Sequence, residues 1–259
     1  MNDDTLLELL HETATAVTNA LGTVGDWSLT GGLAGQHHSD LAADAAALTV
    51  LKRAGVGVLS EESGAHHIDR DVVVVLDPLD GSTNAAHGIP WYATSLCAVD
   101  RDGPRAALVV NLPSRDRFEA VRGQGARRDG QTISGSACRA MSDALLGLSG
   151  HPPTHFGWRQ YRALGAIALD LCAVASGMLD GFVDCGVDAH GAWDYLGATL
   201  ICREAGALVQ DAGGRDLVVI DHSAGRTPVA AATPELLAEL LDARRTWGIS
   251  KESTIAPTA

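Results

Sequence analysis

The sequence predicts an α/β fold in two parts: helices leading into a meandering sheet, then a stretch in which helices and strands alternate. Three observations predict it. Val72-Val73-Val74-Val75-Leu76 is a continuous, mostly β-branched run whose length suits a strand buried on both faces. Strand-like segments near 93–100, 105–112 and 117–122 follow, with Asp129-Gly130-Gln131 as a hairpin turn, so this sheet is a meander rather than a βαβ series. Near Gly150-His151-Pro152-Pro153 the pattern changes to helix 164–177, strand 179–184, helix 195–205 and strand 207–211.

The remaining elements fall in order around these. Leu6, Leu10, Ala14, Val17 and Leu21 recur at helical spacing and predict an amphipathic helix over 4–21. The Gly-rich segment 31–38 reads as a loop. Ser39 or Asp40 then caps a second helix with Leu41, Ala45, Leu48 and Leu51 as its inner stripe, ended by Gly55 and Gly57. Residues 56–60 form a short strand that runs into Glu61-Glu62. Residues 229–232 are another strand, and Thr233-Pro234 opens a last helix over 234–244. The expected division is an N-terminal subdomain, 1–145, a C-terminal subdomain, 146–248, and a tail, 249–259, without periodicity that is expected to be disordered.

Composition narrows the function classes. The chain has 259 residues, 46% of them apolar and 20% charged, which argues against disorder or a fibrous repeat. No apolar run approaches the roughly 20 residues that cross a bilayer. The start, Met1-Asn2-Asp3-Asp4, is acidic where a signal peptide is basic, so a soluble, cytoplasmic protein is expected. A net charge of −13 disfavours nucleic-acid or membrane-surface partners, and a small anionic substrate would need a cation between itself and the protein. The five cysteines are scattered and read as reduced thiols.

Three acidic stretches carry the chemistry. Asp77-Pro78-Leu79-Asp80-Gly81-Ser82-Thr83 places two acids at the end of the buried strand, where ligands bind in such sheets. Gly81 permits close backbone approach, and Ser82-Thr83 opens a short helix whose free N–H groups suit an oxyanion. A plain helix cap by Asp80 or Ser82 is the alternative. Glu61-Glu62 ends a second strand that could neighbour the first, or is a solvated turn. Asp194, after Trp193, is expected to cap helix 195–205. Two carboxylates about 4 Å apart repel by roughly 4 kcal/mol at an effective dielectric near 20, so converging acids would raise their own pKa values or take up cations. Oxygen-only donors select a hard cation, Mg²⁺ before Zn²⁺. The ten histidines read mostly as surface residues, with His37, His38 and His190 close to the predicted site loops.

Together, Ser60-Glu61-Glu62-Ser63, Asp77 to Asn84, and Trp193-Asp194 followed by Glu204-Ala205-Gly206 resemble the inositol monophosphatase family, within the Mg²⁺-dependent, lithium-sensitive phosphatases that include fructose bisphosphatases. The resemblance implies an α-β-α-β-α layered sandwich, two or three Mg²⁺ per site and a homodimer. It implies that Glu61, Asp77 and the Leu79 carbonyl hold one Mg²⁺, that Asp77, Asp80 and Asp194 hold a second, and that Glu61 helps with a third. Gly81 and Ser82 would receive phosphate on their N–H groups, and Glu62 would lie near the nucleophilic water. The Ser82 hydroxyl and an upstream aspartate would orient that water or accept its proton. Asp44 matches this aspartate best, with Asp40 one turn away. Arg162 and Gly165 resemble the segment lining the substrate pocket, and Asp184 loosely matches an acid that binds sugar hydroxyls.

The function so implied is Mg²⁺-dependent hydrolysis of a small phosphorylated metabolite, with inositol monophosphate or a related polyol phosphate first. Histidinol phosphate, fructose 1,6-bisphosphate and a nucleotide 3′-phosphate are alternatives with the same chemistry. A non-catalytic binder of a phosphorylated metabolite is an alternative of another class.

Overall fold

The β-branched run at 72–76 becomes the centre of an eight-stranded sheet because its side chains alternate between two apolar layers. The computed structural model describes residues 1–30 and 36–247. Residues 31–35 of the predicted loop at 31–38 and the whole of the predicted tail, 249–259, lie outside the described residues, while His37 and His38 already belong to the start of a helix. Helix α1 (Asp3–Leu21) and helix α2 (His38–Ala54) precede strands β1 (Gly57–Ser60), β2 (Gly64–His66) and β3 (Val73–Asp80). A short helix α3 (Ser82–Ala86) leads into β4 (Ala93–Asp100), β5 (Gly103–Asn111), β6 (Arg117–Val121), β7 (Ala126–Arg128) and β8 (Gln131–Thr132). The sheet order is β2-β1-β3-β4-β5-β6-β7-β8. Val74 and Leu76 of β3 pack with α1 and α2, while Val73 and Val75 face the opposite core. The hairpin at Asp129-Gly130 has both residues at positive φ, 48° and 77°, as a two-residue turn of this hand requires.

The second half builds a five-stranded sheet, β10-β9-β11-β13-β12. Its strands are β9 (Leu145–Ser149), β10 (Gln160–Arg162), β11 (Gly181–Asp184), β12 (Leu208–Asp211) and β13 (Pro228–Ala231). Helices α4 (Ile167–Ala175) and α5 (Ala192–Glu204) fill the layer between the two sheets, in one core that runs from Leu59 and Val75 to Phe182 and Ala230. Helix α6 (Pro234–Thr246) covers the outer face through Leu236, Leu237 and Leu240. The layers therefore run α, β, α, β, α. No helix among the described residues is long and apolar enough to cross a membrane.

Several local expectations are corrected. Helix α2 starts two or three residues earlier, after His37, and Asp40 is its third residue, accepting the His37 N–H at 2.7 Å. Its buried face carries Asp40, Ala43, Asp44, Ala47, Val50 and Leu51, whereas Leu41 and Ala45 are exposed. Apolar periodicity misread that face because two acids sit on it. Helix α4 begins at Ile167 rather than 164, since Gly165 takes the left-handed φ of +87° that a helix excludes. Asp194 is the third residue of α5 and not its cap; the cap is Gly191, whose N–H donates to the Asp194 carboxylate at 2.7 Å. Gly81, not Asp80 or Ser82, caps α3. Strands β2, β9 and β10 had no sequence signal.

Candidate active site

The site is made where β3 ends. Strand β1 lies parallel to β3, with Ser60 opposite Leu76, and the Glu61 N–H continues the pairing to the Leu76 carbonyl at 3.1 Å. Glu61 and Asp77 thus leave adjacent strands at the same level. Residues 77 and 80 have opposite parity, so a regular strand would point them to opposite faces. The pairing of β3 with β4 slips between Asp77 and Asp80, placing one extra residue on β3. Leu79 then turns into the α1–α2 core, and both acids face the central helix layer. The turn is held by the Leu79 N–H on Asp77 Oδ1 at 2.9 Å and by the Thr94 hydroxyl on the Pro78 carbonyl at 3.0 Å.

Helices α4 and α5 deliver the rest. Asp80 accepts the Ala168 N–H at 2.8 Å, so it caps the first turn of α4 from 88 residues away, where the helix dipole favours its charge. Asp194, in the first turn of α5, meets the strand ends. Carboxylate oxygens of Glu61, Asp77 and Asp194 lie within 4.8 Å of one another. Asp80 shares with Asp194 the wall of an adjoining pocket of about 120 Å³. At that separation each charged pair repels by about 3 kcal/mol at an effective dielectric near 20. Burial, with the charges of Asp194 and Glu62, pushes the Glu61 carboxyl up to about 8. Burial and the Glu61 charge raise Asp77 well above the usual carboxylate range, and burial and the Asp194 charge do the same to Asp80. The donors are all carboxylate oxygens, the set a hard divalent cation takes and that soft metals do not require. The cluster fits such a cation.

Around the cluster the predicted residues are distributed unequally. Asp44 is buried and accepts the Ser60 hydroxyl at 2.6 Å, directly behind the Glu61-Glu62 turn. Asp40 is instead engaged in holding the start of α2. Glu62 is bound by the Gln36 side-chain amide, and burial raises its pKa. Gly81 has φ +83°, and a Cβ there would lie 3.1 Å from both Ala166 Cβ and the Trp91 carbonyl. The first backbone bond of α3 runs from the Ala85 N–H to the Gly81 carbonyl, so Ser82 belongs to the open first turn. Gly165 lines the pocket with Asp80, Ser149, Ala166, Ile167, Asp170, His190 and Asp194. Arg162 is exposed on β10, donates to the Tyr161 carbonyl at 2.7 Å and does not line that pocket. Asp184 is buried behind His190, with one carboxylate oxygen that lacks a hydrogen bond.

Two site residues were poorly legible in sequence. In sequence, His190 is marked only by its closeness to a predicted site loop. Its Nδ1 is 3.4 Å from Asp194 and its Nε2 is 3.7 Å from Asp184 and 3.3 Å from the Ser149 hydroxyl. Burial works to lower its pKa, but the Asp194 hydrogen bond and the surrounding carboxylates outweigh it and push it up to about 9. Asp170 gave no signal because it sits inside an apolar helix. It accepts the Trp91 indole N–H at 2.8 Å, and burial raises it to about 7. A larger hollow between β12 and α6 is lined by Leu208, Leu237 and Leu241 and holds none of the acids named above.

Two layered sheets with helices between and outside them bring carboxylate oxygens together at the ends of β1 and β3 and in the first turn of α5, a set that could hold a divalent cation. The family model for the inositol monophosphatase family matches residues 37–247. The chain belongs to that family and is a phosphoric monoester hydrolase. It is 35% identical over 196 residues to fructose-1,6-bisphosphatase of Pyrococcus furiosus, covering 73% of this chain and 75% of the relative. It is 33% identical over 208 residues to the Nus factor SuhB of Escherichia coli, covering 72% and 75%. The solved inositol monophosphatase of Anabaena (Nostoc) sp. PCC 7120 superposes with a TM-score of 0.78 at 25% identity, covering 95% of this chain and 97% of that one.

Proposed function

We propose that this chain hydrolyses a small phosphate monoester with Mg²⁺, inositol monophosphate or a related polyol phosphate first. The observation that carries the reading is the meeting of Glu61, Asp77 and Asp194, with Asp80 beside them, at one end of the sheet. These four side chains and the Leu79 carbonyl would hold two or three ions. Bound Mg²⁺ supplies positive charge to the phosphoryl oxygens and acidity to a water. Gly81 and Ser82 would orient the phosphate with their N–H groups, since a left-handed Gly81 opens the first turn of α3. Glu62 and the Asp44–Ser60 pair, together with the Ser82 hydroxyl, would orient the attacking water and take its proton. In-line attack then expels the alcohol, and no covalent enzyme intermediate forms.

The pocket beside the cluster supports an alcohol rich in hydroxyls. Asp170, Ser149 and His190 line it and offer both acceptors and donors, with Asp184 behind His190, and no Lys or Arg lines it. The name of the Pyrococcus relative makes fructose 1,6-bisphosphate the second substrate to test. Phosphate release from inositol, sugar, histidinol and nucleotide phosphates, with and without Mg²⁺, tests the proposal. Release from none of them would end it.

A further inference from the structure

His222 lies in the loop 212–227 between β12 and β13, away from every motif read in the sequence. Its Nε2 is 2.8 Å from the Glu61 carbonyl oxygen. A carbonyl only accepts, so Nε2 is the donor. The same ring lies 4.6 Å from the Trp193 ring, tilted by 33°. Trp193 is the residue before Asp194. One side chain therefore touches both chain segments that bring Glu61 and Asp194 to the cluster.

The loop that delivers it is braced. Arg215 grips Asp211 at 2.8 Å and pairs with Asp188, while His190 and Arg226 exchange backbone hydrogen bonds of 3.2 and 2.8 Å. Near its tip, Asp221 accepts the Ser223 N–H at 2.9 Å. On the other side, the Glu61 N–H is held by Leu76, and the Trp193 carbonyl accepts the Ser95 hydroxyl at 3.2 Å. His222 completes this frame from the solvent side.

We propose that His222 is a positioning residue for the cation cluster, tying the Glu61 peptide to Trp193-Asp194 against the mutual repulsion of their carboxylates. The proposal rests on the reading that Glu61 and Asp194 share a divalent ion. Its effect falls first on metal affinity, because the imidazole bonds a backbone carbonyl and packs on an indole, and it acts on Glu62 through charge alone.

Mn²⁺ binding to the full chain, counted by paramagnetic resonance of free Mn²⁺, tests it. His222→Ala should weaken Mn²⁺ binding by about tenfold and raise the half-saturating Mg²⁺ concentration for turnover by a similar factor, with kcat at saturating Mg²⁺ within about twofold of wild type. His222→Gln keeps a donor and His222→Phe keeps a ring, so each should recover part of the affinity. These two also carry the test if the alanine variant folds poorly. Wild-type Mn²⁺ affinity in all three variants would overturn the role of His222 and leave the phosphatase reading standing. A wild-type chain that binds no Mn²⁺ would instead overturn the cation cluster itself, and the proposal with it.

Discussion

Asp77→Asn separates charge from shape at the centre of the cluster. Asn keeps an oxygen that can accept the Leu79 N–H now 2.9 Å from Asp77 Oδ1, so the irregular turn at the end of β3 persists. It removes a carboxylate that is 1% exposed and lies within 4.8 Å of ligand oxygens on Glu61 and Asp194. Each ionised pair at that distance repels by about 3 kcal/mol at an effective dielectric near 20. Burial and Glu61 raise the Asp77 pKa well above its unfolded value, so the folded, metal-free protein holds protons there that the unfolded chain releases. Stability of the metal-free wild type therefore falls as pH rises from the unfolded carboxylate range. In urea unfolding with chelator, Asp77→Asn should be more stable than wild type, by an amount that grows with pH and reaches about 1–3 kcal/mol near pH 9. With Mg²⁺ the order reverses. Losing an outer-shell partner already costs about 10–100-fold in metal affinity, so losing a ligand should cost at least about 100-fold, and turnover should nearly vanish. A variant less stable than wild type in chelator, yet stabilised by Mg²⁺ as strongly as wild type, would refute the reasoning.

Three further outcomes are expected. The Glu61 carboxyl, pushed up to about 8, is mostly protonated at pH 6 without a cation, so Mg²⁺ binding should release protons and tighten as pH rises from 6 to 8; calorimetry in buffers of different ionisation enthalpy measures this, and an affinity flat across that range would contradict it. Gly81→Ala must place a Cβ at φ +83° against Ala166 and the Trp91 carbonyl, so it should destabilise by about 1–2 kcal/mol from conformation alone and raise KM for the phosphate ester. Fructose 1,6-bisphosphate should be turned over less efficiently than inositol monophosphate, because a second phosphate would enter a pocket whose one cation, His190, already faces Asp184 and Asp194; comparable kcat/KM values for the two would show that another group receives that phosphate.

Much of this protein is written locally. The apolar run at 72–76 is uninterrupted because Val73 and Val75 serve one core while Val74 and Leu76 serve another, and only a strand covered on both sides has that pattern. The acids just after β1 and at the end of β3, the hairpin at Asp129-Gly130 and the cap at Thr233 are contiguous signals that need no partner to be recognised. The motifs Ser60–Ser63, Asp77–Asn84 and Trp193-Asp194 carry the family resemblance for the same reason, each being contiguous.

Tertiary structure decided what contiguity cannot express. The extra residue in β3 brings Asp77 and Asp80 to one face, and that slip exists only in the pairing with β4. The face of α2 was misread because Asp40 and Asp44 are buried by hydrogen bonds to His37 and Ser60, which periodicity scores as exposure. Asp170, His190 and His222 are ordinary residues in sequence. They join the site because the crossing of α4 and the loops beside β12 and β13 bring them to strand ends up to 161 residues away. A sequence states which groups can ionise or bind a cation; the folded backbone alone sets the distances over which their charges act.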